Sequence, residues 1–132
     1  MRSLVMLVLG LVIGAICTTM ALRALSQGSE YPKGVMALMG AHFGAVRKAV
    51  EAGQCEADTM ARHAATLRLV AHDIEPAFLP TGGDDEAFAA HAEKLRMQAQ
   101  ALEQAASAGC AALSEAAGAV GQACKACHQD FR

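Results

Sequence analysis

Most of this 132-residue chain repeats its apolar residues at steps of three and four positions, the spacing of one face of an α-helix. Four such stripes cover residues 35–50, 60–74, 88–102 and 110–131. No segment alternates apolar and polar residues in the pattern of a half-buried β-strand. The sequence therefore predicts an all-α fold with four amphipathic helices.

The connections between these helices predict how they pack. Pro32 suits the first turn of the first helix, which ends near Gly53. Pro76 ends the second helix, and residues 75–83, with two prolines and two glycines, form one long connection. Because the other two connections are short, we expect an antiparallel up-down-up-down four-helix bundle. The start of the first helix, the long connection and the end of the fourth helix then lie at the same end.

An uncharged run from Leu4 to Leu22 precedes the bundle. As a helix it would be about 28 Å long, close to the hydrocarbon thickness of a bilayer. A signal peptide is the alternative, although the apolar part of a signal peptide usually has only about 7 to 15 residues. We therefore predict one N-terminal transmembrane helix, in a membrane anchor over residues 1–25, followed by a four-helix-bundle domain over residues 26–132.

The fourth predicted helix contains Cys124-Lys-Ala-Cys127-His128, the most specific chemical signal in the chain. Two cysteines three positions apart on a helix point to nearly the same side, so both can form thioethers with the vinyl groups of one porphyrin. The adjacent histidine can then bind the iron. The motif predicts haem c attached at Cys124 and Cys127, with His128 as an axial iron ligand.

Three other interpretations of this motif are weaker. A thioredoxin-like pair would need its first thiol at a helix N-terminus, where the helix dipole lowers the thiol pKa. A zinc site would need further ligands, and the spacing of His42, His63, His72 and His91 does not supply them. A disulfide within one helix at this spacing would be strained and would leave the histidine unexplained.

Met36 is the candidate for the other side of the iron. It lies 19 residues before Cys55, whereas His128 lies 18 residues after Cys110, and both of these cysteines fall at the opposite end of the predicted bundle. Met36 and His128 are therefore expected at the same depth, roughly 27 to 28 Å from that end. The alternative is that Met36 is only a core residue at helical spacing, as methionine often is.

Placed at the end of a four-helix chain, the segment CKACHQDFR (residues 124–132) closely resembles the class II c-type cytochromes, the cytochrome c-prime family. This resemblance implies thioethers at Cys124 and Cys127, His128 as the proximal ligand and Met36 at the distal position. In that family a distal methionine either binds the iron or only blocks its face. Arg132 matches a basic residue near the proximal face; otherwise it is a solvated cation favourable to the helix dipole.

The resemblance also covers YPKGVMALMGAHFG (residues 31–44), like the family's opening helix, and PAFLP (residues 76–80), like the segment over one haem edge. Many high-spin members of the family have an arginine directly after the tyrosine that matches Tyr31, whereas this sequence has Pro32 at that position. Lys33 is the candidate to take the place of that arginine. Members often dimerise through their first two helices, so a homodimer is one expectation for this chain.

Cys55 and Cys110 fall at the same end of the predicted bundle, so a disulfide between them is our hypothesis, with buried free thiols as the alternative. Such a disulfide needs an oxidising compartment. By resemblance to the family, haem c attachment in bacteria is completed outside the cytoplasmic membrane. These arguments place the bundle at the periplasmic face of the inner membrane, on a single-pass anchor over residues 4–22.

The formal net charge of -2 leaves no basic surplus for a nucleic-acid partner. The chain contains no evident nucleophile-base pair or phosphate-binding loop, so we expect no enzymatic turnover. The leading hypothesis is a one-electron carrier that exchanges electrons with redox partner proteins. The alternative is a five-coordinate haem protein that binds NO or CO, for gas binding or NO detoxification.

Overall fold

A computed structural model of the protein describes residues 2–131, although the side chains of residues 2–5, 7, 9 and 23–29 are not described. The described residues form helices and connections, with no β-strand among them. The chain divides into two compact units, Met1–Lys33 and Gly34–Arg132. The helices are α1 (Arg2–Glu51), α2 (Ala57–Ala71), α3 (Ile74–Phe78), α4 (Asp85–Ala105) and α5 (Cys110–Asp130).

The second unit is a four-helix bundle made of residues 34–51 of α1 together with α2, α4 and α5. Ion pairs show the direction of the helices. Arg68 on α2 lies 2.6 Å from Glu103 on α4, and Glu75 on α3 lies 2.6 Å from Arg96, so α4 runs opposite to α2 and α3. His91 near the start of α4 meets Asp130 at the end of α5, so these two helices are also antiparallel. The predicted all-α four-helix bundle is confirmed.

The core of the bundle is aliphatic. Each of its four long helices contributes at least one fully buried side chain, and the largest of these are Val46, Leu67, Leu102, Leu113 and Val120. Among the described residues no polar or charged side chain is buried. Burial of apolar surface therefore provides the main stabilisation of the bundle.

A disulfide closes the end of the bundle where α1 turns into α2. Gly53 adopts a positive φ of 66°, and the backbone N–H groups of Gly53 and Gln54 donate to Val50 and Ala49, which ends α1. Cys55 follows this turn and is bonded to Cys110, the first residue of α5, with 5.3 Å between the two Cα atoms. The hypothesis of a Cys55–Cys110 disulfide is confirmed.

The region around Pro76 is more regular than the sequence indicated. The second helix was expected to include Ile74, but α2 ends at Ala71 and the short helix α3 follows from Ile74 to Phe78. Pro76 is the third residue of α3, in the first turn, where a backbone N–H has no helical partner to lose. A proline that was expected to end a helix therefore lies inside the start of another.

The start of the first bundle helix was also predicted wrongly. Pro32 does not begin α1 but lies within it. A proline inside a helix removes one backbone hydrogen bond. The helix nevertheless continues, and Lys33 Nζ lies 3.4 Å from Glu30 Oε1 across this point.

The predicted N-terminal transmembrane helix requires correction. No helix among the residues described by the structure has an apolar stretch long enough to cross a membrane. Leu4, Val5, Leu7 and Leu9 lie outside the described side chains. The prediction of a single-pass anchor, and of the membrane location that depended on it, is therefore wrong for the described chain.

Candidate functional site

The bundle contains a cavity of about 1100 Å³ at the end opposite the disulfide. Its walls come from α1, α3, α4, α5 and the connection between α3 and α4. Pockets for small molecules and cofactors usually measure about 300 to 1000 Å³. The cavity is therefore large enough for a bulky cofactor, in a protein whose own core side chains are mostly small.

The last turns of α5 bring Cys124, Cys127 and His128 to the wall of this cavity. Both thiols are half-buried, whereas His128 is exposed at the surface end. The helix ends just beyond, where the Phe131 N–H donates to the carbonyl oxygen of Cys127. All three residues of the sequence motif therefore face one space.

The environment of the two thiols keeps them protonated. Burial raises the pKa of Cys124, and the neighbouring Cys127 raises it further. Burial also raises the pKa of Cys127, with Asp130 adding to the effect. Reactive redox cysteines have lowered pKa values, so this pair lacks the property that thioredoxin-like chemistry requires.

Met36 lies on the α1 wall of the same cavity and is half-buried. The contact between α1 and α5 explains its depth, because a Cβ atom at Gly121 would lie 3.5 Å from Phe43 Cζ. Met36 lies seven residues before Phe43 and His128 lies seven residues after Gly121. Since α1 and α5 are antiparallel, both side chains lie two turns, about 10 Å, beyond this contact in the same direction.

Met39, Gly40 and Phe43 also line the cavity on α1, whereas His42 does not. His42 instead contacts His63 on α2. Met36, unlike His42, therefore lines the same cavity as His128.

An aromatic cluster forms another wall, and the sequence motifs did not reveal it. The ring of Phe88 lies 5.9 Å from Phe78 and 5.2 Å from Phe131, centroid to centroid. His91 packs edge-on against Phe131, and its Nε2 lies 2.9 Å from Asp130 Oδ2. The spacing of Phe88 and His91, one helical turn apart, is the only sequence signal that links them.

The connection between α3 and α4 closes one side of the cavity with Pro80, Thr81, Gly83 and Asp84. Asp84 caps α4 by accepting a hydrogen bond from the Ala87 N–H at 2.9 Å. The next residue, Asp85, accepts hydrogen bonds from the Thr81 hydroxyl at 2.7 Å and the Thr81 N–H at 2.8 Å. These two hydrogen bonds hold the pKa of Asp85 below its usual value, and the bond from the Thr81 hydroxyl has the larger effect.

This lowered pKa predicts how the connection responds to acid. The Asp85 carboxylate adds stability at pH values above its unfolded pKa of about 4, and this stability is lost as the pH falls through the lower, folded value. We expect Asp85→Asn to lower Tm at pH 6. The difference in Tm between this variant and the unmodified protein should become smaller as the pH falls below about 4. Thermal unfolding from pH 2 to pH 7 measures this. Glu115→Gln, at an exposed position on α5, is the control; an Asp85→Asn difference that does not change with pH would contradict the prediction.

Two remaining expectations concern ligands. Arg132 lies outside the described residues, so its role near the cavity stays a prediction. Within the part of the chain that the structure describes, no group of three or more His, Cys, Asp or Glu side chains is arranged to hold a metal ion. The motif at the end of α5 is therefore not part of a described zinc cluster.

The residues around the cavity fit a flat, mostly apolar cofactor. Cys124 and Cys127 can both bond to it, and His128 adds an imidazole ligand next to them. Methionine and aromatic side chains supply apolar contacts on the remaining walls. A large cavity in a four-helix bundle with this arrangement of cysteine and histidine defines a c-type haem protein.

Comparison with known proteins agrees. The model of the cytochrome c′ family matches residues 28–132, most of the chain, so the chain belongs to the cytochrome c′ family. Haem c, with its iron, is therefore the cofactor, as the motif predicted.

Solved structures of cytochromes c′ are similar to the chain in both sequence and fold. Cytochrome c′ from Thermochromatium tepidum is 25% identical with a TM-score of 0.74, covering 80% of this chain and 94% of that one. Cytochrome c′ from Rhodobacter spheriodes is 29% identical with a TM-score of 0.73, covering 81% and 95%. No curated protein sequence matches significantly.

Proposed function

We propose that the protein is a one-electron carrier in which Cys124 and Cys127 hold haem c and His128 and Met36 are the two iron ligands. The observation that supports this is that Met36 and His128 line the same cavity at the same depth, on antiparallel helices. A histidine and a methionine are the ligand pair of many electron-transfer cytochromes.

Rigid ligands favour electron transfer because the site then rearranges little between oxidation states. Haem c supplies the one-electron couple when it is bound. Met36 is held on α1 between the buried residues Val35 and Met39, and His128 is held on α5 after the buried residue Ala123. The cavity is lined by the last turns of α5, at one end of the bundle, where a redox partner protein can approach.

A second candidate function is the binding of a small uncharged gas, NO or CO. One observation favours it: the cavity wall beside Met36 is apolar, with Met39 and Phe43 on the same side of α1. A diatomic molecule could bind against this apolar wall if Met36 only covers the iron.

The spectrum of Met36→Ala separates the two functions. For the carrier, we expect the unmodified ferrous protein to show split low-spin bands that do not shift with CO. Met36→Ala should then give a high-spin spectrum and bind CO, because the variant removes one ligand. Absorption spectra of the ferrous proteins with and without CO measure this.

The matched control is Met97→Ala, which removes an exposed methionine on α4, and its spectrum should not change. A high-spin unmodified protein that binds CO readily would favour the gas binder. A Met36→Ala spectrum that stays low-spin would contradict ligation by Met36. Met39→Ala, at the other methionine on this wall, then tests whether Met39 binds the iron.

A further inference from the structure

Two histidines face each other across α1 and α2, away from the haem cavity. The Nδ1 atoms of His42 and His63 lie 3.0 Å apart, and the ring centroids are 5.1 Å apart with an angle of 61° between the planes. Both side chains are half-buried, and neither lines the large cavity. Two nitrogens at this distance can share one proton, or they can share one metal ion.

The geometry points to a two-histidine site for a divalent transition-metal ion, with Cu²⁺ as the best fit. Imidazole nitrogen binds such metals at about 2.0 to 2.1 Å. With the nitrogens 3.0 Å apart, the angle at the metal would be about 91 to 97° at that bond length. This is close to the right angle of the tetragonal geometry that Cu²⁺ and Ni²⁺ prefer, and Cu²⁺ binds more tightly in the Irving–Williams order.

A tetrahedral Zn²⁺ ion at the same bond length would have its two nitrogen ligands about 3.3 Å apart, and a small rotation of either half-buried ring supplies that difference. Imidazole suits copper, nickel and zinc alike. Cu²⁺ is the expected occupant because it binds nitrogen ligands most tightly in the Irving–Williams order.

The surroundings of the pair suit an exchangeable site. No cluster of three or more His, Cys, Asp or Glu side chains occurs among the described residues, so water would complete the coordination.

The site would join α1 to α2 by two bonds that exist only in the folded protein. A metal that binds only the native state stabilises it. This role is independent of Met36 and of the function of the haem, because His42 and His63 do not line the haem cavity.

Titration of the ferric holoprotein with Cu²⁺ tests this inference. All proteins carry Cys17→Ser, because Cys17 is an exposed free thiol that would itself react with copper. Calorimetry should show one Cu²⁺ ion bound per chain with higher affinity than any others. His42→Gln and His63→Gln should each weaken this binding at least about tenfold, since either change removes the second, intramolecular bond.

His72→Ala is the control, because it removes the exposed histidine that directly follows α2. Its Cu²⁺ affinity should equal that of the parent protein, and the haem absorption spectrum should be the same in all variants. Equal Cu²⁺ affinity in the parent and both glutamine variants would overturn the inference, as would an equal loss in His72→Ala. If a glutamine variant does not fold, electron paramagnetic resonance of Cu²⁺ on the parent protein decides: nitrogen hyperfine splitting supports the site, and its absence overturns it.

Discussion

The double variant Cys124→Ser/Cys127→Ser is expected to release all of its haem into acidified organic solvent, whereas the unmodified protein keeps its haem on the chain. The reason is that both thiols line one cavity next to His128 and are the only described free cysteines there. Without the two bonds, His128 and apolar contacts alone would hold the cofactor. Solvent extraction followed by mass spectrometry of the intact protein measures the effect.

Each single variant should keep the haem through one thioether, and Cys17→Ser should keep both. The double variant should also unfold at lower temperature, because loss of the cofactor would leave an apolar cavity of about 1100 Å³ inside the bundle. Haem that stays covalently bound in the double variant would contradict the assignment of the attachment site.

The second large effect concerns the other end of the bundle. Cys55→Ser/Cys110→Ser should lower the free energy of unfolding by about 2 to 4 kcal/mol. The bond joins residues 55 positions apart, and for a loop of this size the chain-entropy model gives a value near 4 kcal/mol. Urea unfolding followed by circular dichroism measures the loss.

A reductant provides the control in the same protein. Dithiothreitol should reduce the stability of the unmodified protein to that of the variant and leave the variant unchanged, because thioethers are not reduced. Cys17→Ser, which changes an exposed free thiol, should have the stability of the unmodified protein. A variant as stable as the unmodified protein would show that the Cys55–Cys110 bond adds no stability.

The helix pattern, the disulfide and the cofactor motif could all be predicted from the sequence because each depends on local spacing or on helix length. The period of the apolar residues predicted four bundle helices, and counting residues from Cys55 and Cys110 placed Met36 level with His128. The packing of Phe43 against Gly121 agrees with that count.

Other features depend on context that the sequence pattern does not contain. The pattern placed Pro32 at the start of a helix and Pro76 at the end of one, whereas Pro32 lies inside α1 and Pro76 lies in the first turn of α3. The contact of His91 with Asp130 joins residues 39 positions apart on different helices, with no motif to connect them.

The His42–His63 pair was missed for a different reason. The spacing of histidines along one helix does not reveal this pair, because His42 lies on α1 and His63 lies on α2. His42 lies 11 residues before Gly53 and His63 lies 10 residues after it. Because the two helices are antiparallel, these counts place the two histidines at nearly the same depth in the bundle.

The position of the disulfide also changes what a broken backbone would do to the molecule. The bond between Cys55 and Cys110 makes residues 55–110 a covalent ring that contains α2, α3 and α4. A single cut by a protease within that ring, for example in the connection after α3, would leave every helix on one covalently joined molecule. The helices that bear Met36 and His128 would then remain linked through the bridge even though the polypeptide between them was no longer continuous.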